Sequence, residues 1–149
     1  MPLNQSLKGK EYSPITVTVE RDRIVQFAES IGDDSPAFRD EEAAREAGLP
    51  GQLAPPTFPT TMQMLASAQV VGDQDLGLDY SRVVHGEQEY RYERPIVVGD
   101  VLTAVPRIAD IYAKKSNEFV VTEAEITDSD GRLVVVARST LISRGTGGQ

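Results

Sequence analysis

Ile15, Val17 and Val19 alternate with Thr16 and Thr18, the period-two pattern of a strand with one buried face. The period then changes. In RDRIVQFAESIG, Ile24, Phe27, Ala28 and Ile31 recur at i, i+3, i+4 and i+7, which predicts one apolar helix stripe. Gly32 ends it. DEEAAREAG predicts a second, short helix, with Asp40 as N-cap, Glu41 and Glu42 in the first turn and Gly48 just past the end.

The next segment follows neither pattern. From Leu53 to Gly72 no charged residue occurs. A surface helix normally carries a charged face, so this one is expected to be buried nearly all round. Prolines at its front suit a helix start, and Ala66, Ser67 and Ala68 let other elements pack close. Its three prolines and two glutamines argue against a membrane span.

Strand patterns fill the rest. VVHGEQEYRY alternates, and Gly99-Asp100 forms a turn before VLTAVPRIADIYA. Pro106 predicts a bulge or an edge in that strand. EFVVTEAEIT and RLVVVARSTLIS flank DSDG, where Asp130-Gly131 is a hairpin signal. The Lys114-Lys115 doublet reads as a solvated turn. One strand, two helices, a buried helix and about four antiparallel strands define an α+β layering with the helices on one face. An antiparallel sheet wrapped around one long buried helix is a single hot-dog domain over residues 1–149. Its tail is expected to fray from about residue 144.

Composition narrows the chemistry. The 149 residues suffice for one core. There is no cysteine, which excludes disulfides, thiolate metal sites and cysteine catalysis and fits a reducing cytoplasm. His85 is the single histidine, so one chain cannot build a histidine-rich metal site. The net charge is −8 with scattered Lys and Arg, which disfavours nucleic acid. The N-terminus lacks the apolar stretch of a signal peptide, and no window predicts a membrane crossing. No cofactor and no metal are expected.

FAESIGDDSPAF, then LAPPTF, then HGEQEYRYERPIVVGDVLTA resemble the MaoC-like dehydratase family over nearly the whole chain. The resemblance implies a hot-dog fold and R-specific hydration or dehydration of acyl thioesters. Catalytic members carry Gly-Asp-x-Asn-Pro-x-His after the first helix. Gly32, Asp33 and Pro36 match that motif, Asp34 takes its free position, Ser35 stands for the asparagine, and Phe38 stands where the histidine belongs.

That departure bears on mechanism. Dehydration needs a base at Cα and an acid for the leaving hydroxyl, each contributing about 10²–10⁴-fold. Phenylalanine can be neither, and a lone aspartic side chain is a poor general acid at neutral pH. Two readings of Asp33 stand: a weakened catalytic acid, or a turn residue. Catalytic relatives also aim a glycine N–H from the start of the buried helix at the thioester oxygen. Pro56 takes that place here and has no N–H, while Thr57 still has one. Phe38, near Phe58 and Met62, lines an acyl channel or simply fills core. Arg91 and Arg94 meet carrier phosphates or form salt bridges across the sheet, and His85 reads as a structural or interface residue.

The resemblance therefore points to the substrate-binding subunit of a heterodimeric (3R)-hydroxyacyl-thioester dehydratase of fatty-acid metabolism, paired with a catalytic hot-dog chain. The alternatives are a complete homodimeric hydratase using Asp33, or a non-catalytic acyl-thioester binding module. The expected ligand is an acyl thioester of coenzyme A or of acyl carrier protein, with Pro56, Thr57, Phe58, Met62 and Phe38 around it.

Overall fold

The computed structural model describes residues 2–148. Five strands form one antiparallel sheet in the order β1-β3-β4-β5-β2: β1 Ile15–Thr18, β2 Val83–Tyr92, β3 Val101–Lys114, β4 Asn117–Thr127 and β5 Leu133–Ser143. Three α-helices accompany it: α1 Arg21–Ser30, α2 Glu41–Glu46 and α3 Pro59–Val71. The sheet curls around α3. The hot-dog architecture read from the sequence is the observed one.

Most local signals act as expected. The Asp40 side chain accepts from the Glu42 N–H at 2.9 Å and caps α2. Gly32 takes φ +72° and reverses the chain after α1. The DSDG turn closes the β4–β5 hairpin, with Asp128 Oδ1 accepting from the Asp130 and Arg132 N–H groups. Lys115 sits at φ +57° in the β3–β4 turn. The Pro106 carbonyl accepts from the Tyr12 N–H at 2.9 Å. A strand residue directs its N and its carbonyl to the same side. The missing N–H of Pro106 therefore faces the irregular Glu11–Ser13 stretch and costs the β3–β4 ladder nothing.

Two expectations need correction. Ile31 is 48% exposed, because α1 has already ended at Ser30 and the stripe does not reach it. More consequentially, α3 is not buried all round. Pro59, Met62, Gln63, Ala66 and Val70 are buried, but Met64 is 70% and Leu65 58% exposed. The helix also starts later than the uncharged run, since Pro55 and Pro56 stay in the preceding turn.

The core runs along α3 as two clusters. Around its first half, Phe58, Met62 and Ala66 pack with Ile24, Ile96, Leu102 and the sheet alanines Ala104, Ala124 and Ala137. The small sheet residues let the helix approach closely. Around its second half, Val70 packs with Leu76, Ile108, Ile111 and Val120. After β5, the Gly145 N–H donates to Asn117 Oδ1 and the Gly147 N–H to the Ser116 carbonyl. Gln149 lies outside the described residues.

β2 carries a bulge between His85 and Glu87. A Cβ built on Gly86 would stand 2.7 Å from Ile142 Cδ1 and 3.0 Å from its Cγ1, so only glycine fits without displacement. Gly86→Ala is expected to cost about 1–2 kcal/mol. Ile142→Val in the same chain, which removes the nearest atom, should restore most of it. Equilibrium denaturation of the two variants checks this. An unchanged midpoint for Gly86→Ala would contradict it.

Candidate functional site

The acidic loop after α1 is fully built. The Asp33 N–H donates to the Ala28 carbonyl at 2.9 Å, and Asp33 Oδ1 accepts from the Ser35 N–H at 3.0 Å. Such a local turn is what Asp offers when a helix stops. Asp33 is half-buried and Asp34 exposed. Pro36–Phe38 makes one 3₁₀ turn. Arg39 donates to the Asp33 carbonyl at 3.2 Å. Buried Gln52 donates from Nε2 to the Phe38 carbonyl at 2.8 Å, and the Leu53 N–H donates to the Ala37 carbonyl at 3.0 Å.

The structure brings Phe38, Phe58 and Met62 together in the first core cluster, with Phe38 at its half-buried margin. Phe58 also meets Phe27 edge to face at 5.5 Å, on an open cavity of about 420 Å³ with Arg23 at its rim. Pro56 and Thr57 lie in the turn before α3, where the Pro56 carbonyl accepts from the Tyr92 hydroxyl at 2.7 Å.

A larger groove, about 720 Å³, opens between α3 and the β2–β5–β4 side of the sheet. That is an ordinary size for a small-molecule site. Met64, Ala68 and Val71 line its helix wall, and His85, Gln88, Thr122, Ser139 and Leu141 its sheet wall. Three rungs join β2 to the α3 segment. Gln88 reaches Gln63, Tyr90 reaches Thr60, and Tyr92 reaches the Pro56 carbonyl. Alternate strand residues thus meet positions three or four apart along the turn and start of the helix. Burial pushes the Tyr90 phenol up, and burial followed by the charge of Tyr90 pushes Tyr92 up. Tyr92 keeps its proton and donates it to the Pro56 carbonyl.

Hydrogen bonding fixes the direction of one rung. Gln63 Nε2 donates to the Ala137 carbonyl at 3.1 Å, so its Oε1 must accept. Gln88 Nε2 supplies that bond at 2.6 Å and also donates to the Arg138 carbonyl. Gln88 Oε1 is left to accept from His85 Nε2 at 3.1 Å. The relay therefore makes His85 Nε2 the donor in that bond. Sequence reading missed the glutamines. The bulge at Gly86 is what keeps His85 and Gln88 on one face despite their odd spacing.

The two arginines resolve simply. Arg94 makes two bonds to Asp100, at 2.8 and 3.2 Å, and one to Asp128 at 3.4 Å. The Asp100 carboxylate holds its guanidinium above the usual range. Arg91 stands 3.5 Å from Glu89, both exposed. Beside the groove, β2 is an edge strand with no neighbour on its outer side among the described residues, and Met64, on the groove's helix wall, is 70% exposed. Among the described residues no helix is long and apolar enough to cross a membrane, and no cluster of three metal-ligating side chains occurs.

This fold and loop define a MaoC-like hot-dog domain of the hydratase and dehydratase group. The chain belongs to the FAS1-like dehydratase family, whose dehydratase domain region matches residues 6–137. It is 50% identical over 147 residues to a UPF0336 protein of Saccharopolyspora erythraea, covering 98% of this chain and 94% of that protein. Among solved structures it is similar to a chain of the truncated HadBC (3R-hydroxyacyl-ACP dehydratase) complex of Mycobacterium tuberculosis. That match has TM-score 0.82 and 30% identity over 91% of this chain and 96% of the other. A MaoC-like dehydratase superposes with TM-score 0.87 at 23% identity over 94% of this chain, which spans 43% of the larger protein.

Proposed function

We propose that the chain is the substrate-binding and stabilising subunit of an R-specific 3-hydroxyacyl-thioester dehydratase of cytoplasmic fatty-acid metabolism, working with a catalytic hot-dog partner. One observation carries the reading: the acidic loop is tied by hydrogen bonds at Asp33 and at the Phe38 carbonyl, yet Phe38 stands where a proton-transferring histidine belongs. Asp33 then serves as the turn residue that holds this frame. Phe38, Phe58 and Met62 back the substrate end of α3, while Pro56 and Thr57 shape its entry. The thioester is one of coenzyme A or of a carrier protein; the reading requires only the thioester.

The uncovered β2 edge and the exposed apolar side chains of α3 support the partner. An unpaired edge strand is a template for another strand, and Met64 and Leu65, 70% and 58% exposed, leave apolar surface on α3 for a partner to cover. HadBC, a (3R)-hydroxyacyl-ACP dehydratase, is itself a complex, which fits a paired arrangement.

The test is hydration of an enoyl thioester by the purified chain, alone and mixed with a hot-dog chain bearing the complete Gly-Asp-x-Asn-Pro-x-His motif. Alone it should be silent. Mixing should raise turnover above that of the partner alone, and Asp33→Asn, which keeps the Oδ1 acceptor, should leave that gain intact. Turnover by the chain alone that dies with Asp33→Asn would instead establish a complete homodimeric enzyme. Thioester affinity with no gain on mixing would leave only a binding module.

A further inference from the structure

Within the groove, the inner face of the sheet carries a polar band. In the strand register Gln88 pairs with Ser139, and Ser139 pairs with Thr122. These three residues form a straight row across β2, β5 and β4, and all three line the groove. The rows on either side are apolar on β5 and β4. On one side Ala137 faces Ala124, and on the other Leu141 faces Val120. Facing the band from α3 is Ser67, one turn after Gln63.

The members differ in what they still need. Gln88 donates its amide hydrogens to Gln63 Oε1 and the Arg138 carbonyl, and Gln63 donates to the Ala137 carbonyl. Ser67 Oγ is buried and has no hydrogen-bond partner among the described residues. Thr122 and Ser139 are 1% and 8% exposed, and their hydroxyls border the same space. Buried hydroxyls are ordinarily paired, and each can both donate and accept. A plain hydrocarbon lying in the groove would pass this band and leave it dry. A chain with one oxygen at that depth would match polar to polar there and apolar to apolar on both sides.

We propose that the groove receives an acyl chain carrying a hydroxyl or keto oxygen part-way along its length, read by Ser67, Thr122 and Ser139. This rests on the acyl-thioester reading above and adds the class of chain. A site built to hydrogen-bond an oxygen discriminates against the ligand that lacks it, because its own groups are then left unpaired.

The experiment is calorimetric titration of the purified chain with decanoyl-N-acetylcysteamine and with isosteric keto forms, their carbonyl walked along the chain from the fifth carbon to the ninth. One keto form should bind about tenfold tighter or more than the unsubstituted chain. Thr122→Val with Ser139→Ala should erase that preference while leaving decanoyl affinity unchanged or improved. Both substitutions remove hydroxyls rather than volume, so thermal unfolding should occur at the same temperature or higher, which verifies the fold. Equal affinity for every probe, or a preference that survives in the double variant, would overturn the proposal. Equal affinity would also mean that water occupies the band, with the acyl-thioester reading intact. Failure of all probes to bind would remove both readings together.

Discussion

Met64→Glu combined with Leu65→Glu leaves a folded chain that no longer joins a catalytic hot-dog partner. In the single chain these side chains are 70% and 58% exposed, so the carboxylates remain solvated and stability should move little. In a paired assembly they would enter an apolar contact. Two unpaired charges there cost several kcal/mol, which corresponds to about 10³-fold or more in dissociation constant. Sedimentation of the mixture should show separate chains, and the gain in hydration on mixing should vanish. Tyr112→Glu is the control. Tyr112 stacks on Phe119 at 4.7 Å on strands β3 and β4, away from the β2 edge, and its replacement should leave pairing intact. Normal pairing by the double glutamate variant would show that the partner contacts neither side chain.

The second large effect is on stability. Asp100→Ala should destabilise the chain by about 2–4 kcal/mol, because two Arg94 bonds and the Val97 N–H lose one shared acceptor. At this chain length that lowers Tm by about 5–10 °C. The side chain of Asp100 is only 15% exposed, so water replaces the carboxylate poorly. Arg94→Met alone should cost less, since Arg94 is more exposed, and the double variant should fall short of the sum. Additive losses in thermal melts would mean that Arg94 and Asp100 act independently. The effect should reach further than the pair itself. The loop they close offers the Ile96 carbonyl to the Ala54 N–H and takes the Gln52 carbonyl at the Val98 N–H. Gln52 in turn holds Phe38. The RPIVVGD stretch is thus a clasp whose grip extends to the acidic loop.

Much of this architecture can be read from short-range signals. Alternation marks β1, the apolar stripe marks α1, Asp40 and Gly48 bound α2, and Asp130-Gly131 marks the β4–β5 hairpin. Each records a local conformational preference, so each is written locally. The uncharged run at α3 was a different kind of signal. Absence of charge reports that a face meets apolar surroundings, and it does not say whether those belong to the same chain. Met62 and Ala66 meet such surroundings within this chain, whereas Met64 and Leu65 are exposed in it. The groove was the least legible feature. Its sheet wall depends on strand register, and the bulge at Gly86 changes the parity of β2 between His85 and Gln88, so alternation counted along VVHGEQEYRY puts one of them on the wrong face. The position of Phe38 was legible only because a motif around it had an expected histidine. The anchoring of its carbonyl by Gln52 spans a loop and a helix, and no spacing rule finds that.

The order of strands also has a consequence for synthesis. α3 leaves the ribosome before β3, β4 and β5, the strands that will enclose it. Until they arrive, an uncharged helix with no covering sheet is exposed to every other apolar surface nearby. The β3–β4–β5 meander is built of adjacent hairpins and can form quickly once made, whereas β1 must wait to pair with β3 from the far end of the chain. Even after folding, Met64 and Leu65 stay exposed. If the proposed pairing holds, producing the chain together with a hot-dog partner should raise its soluble yield.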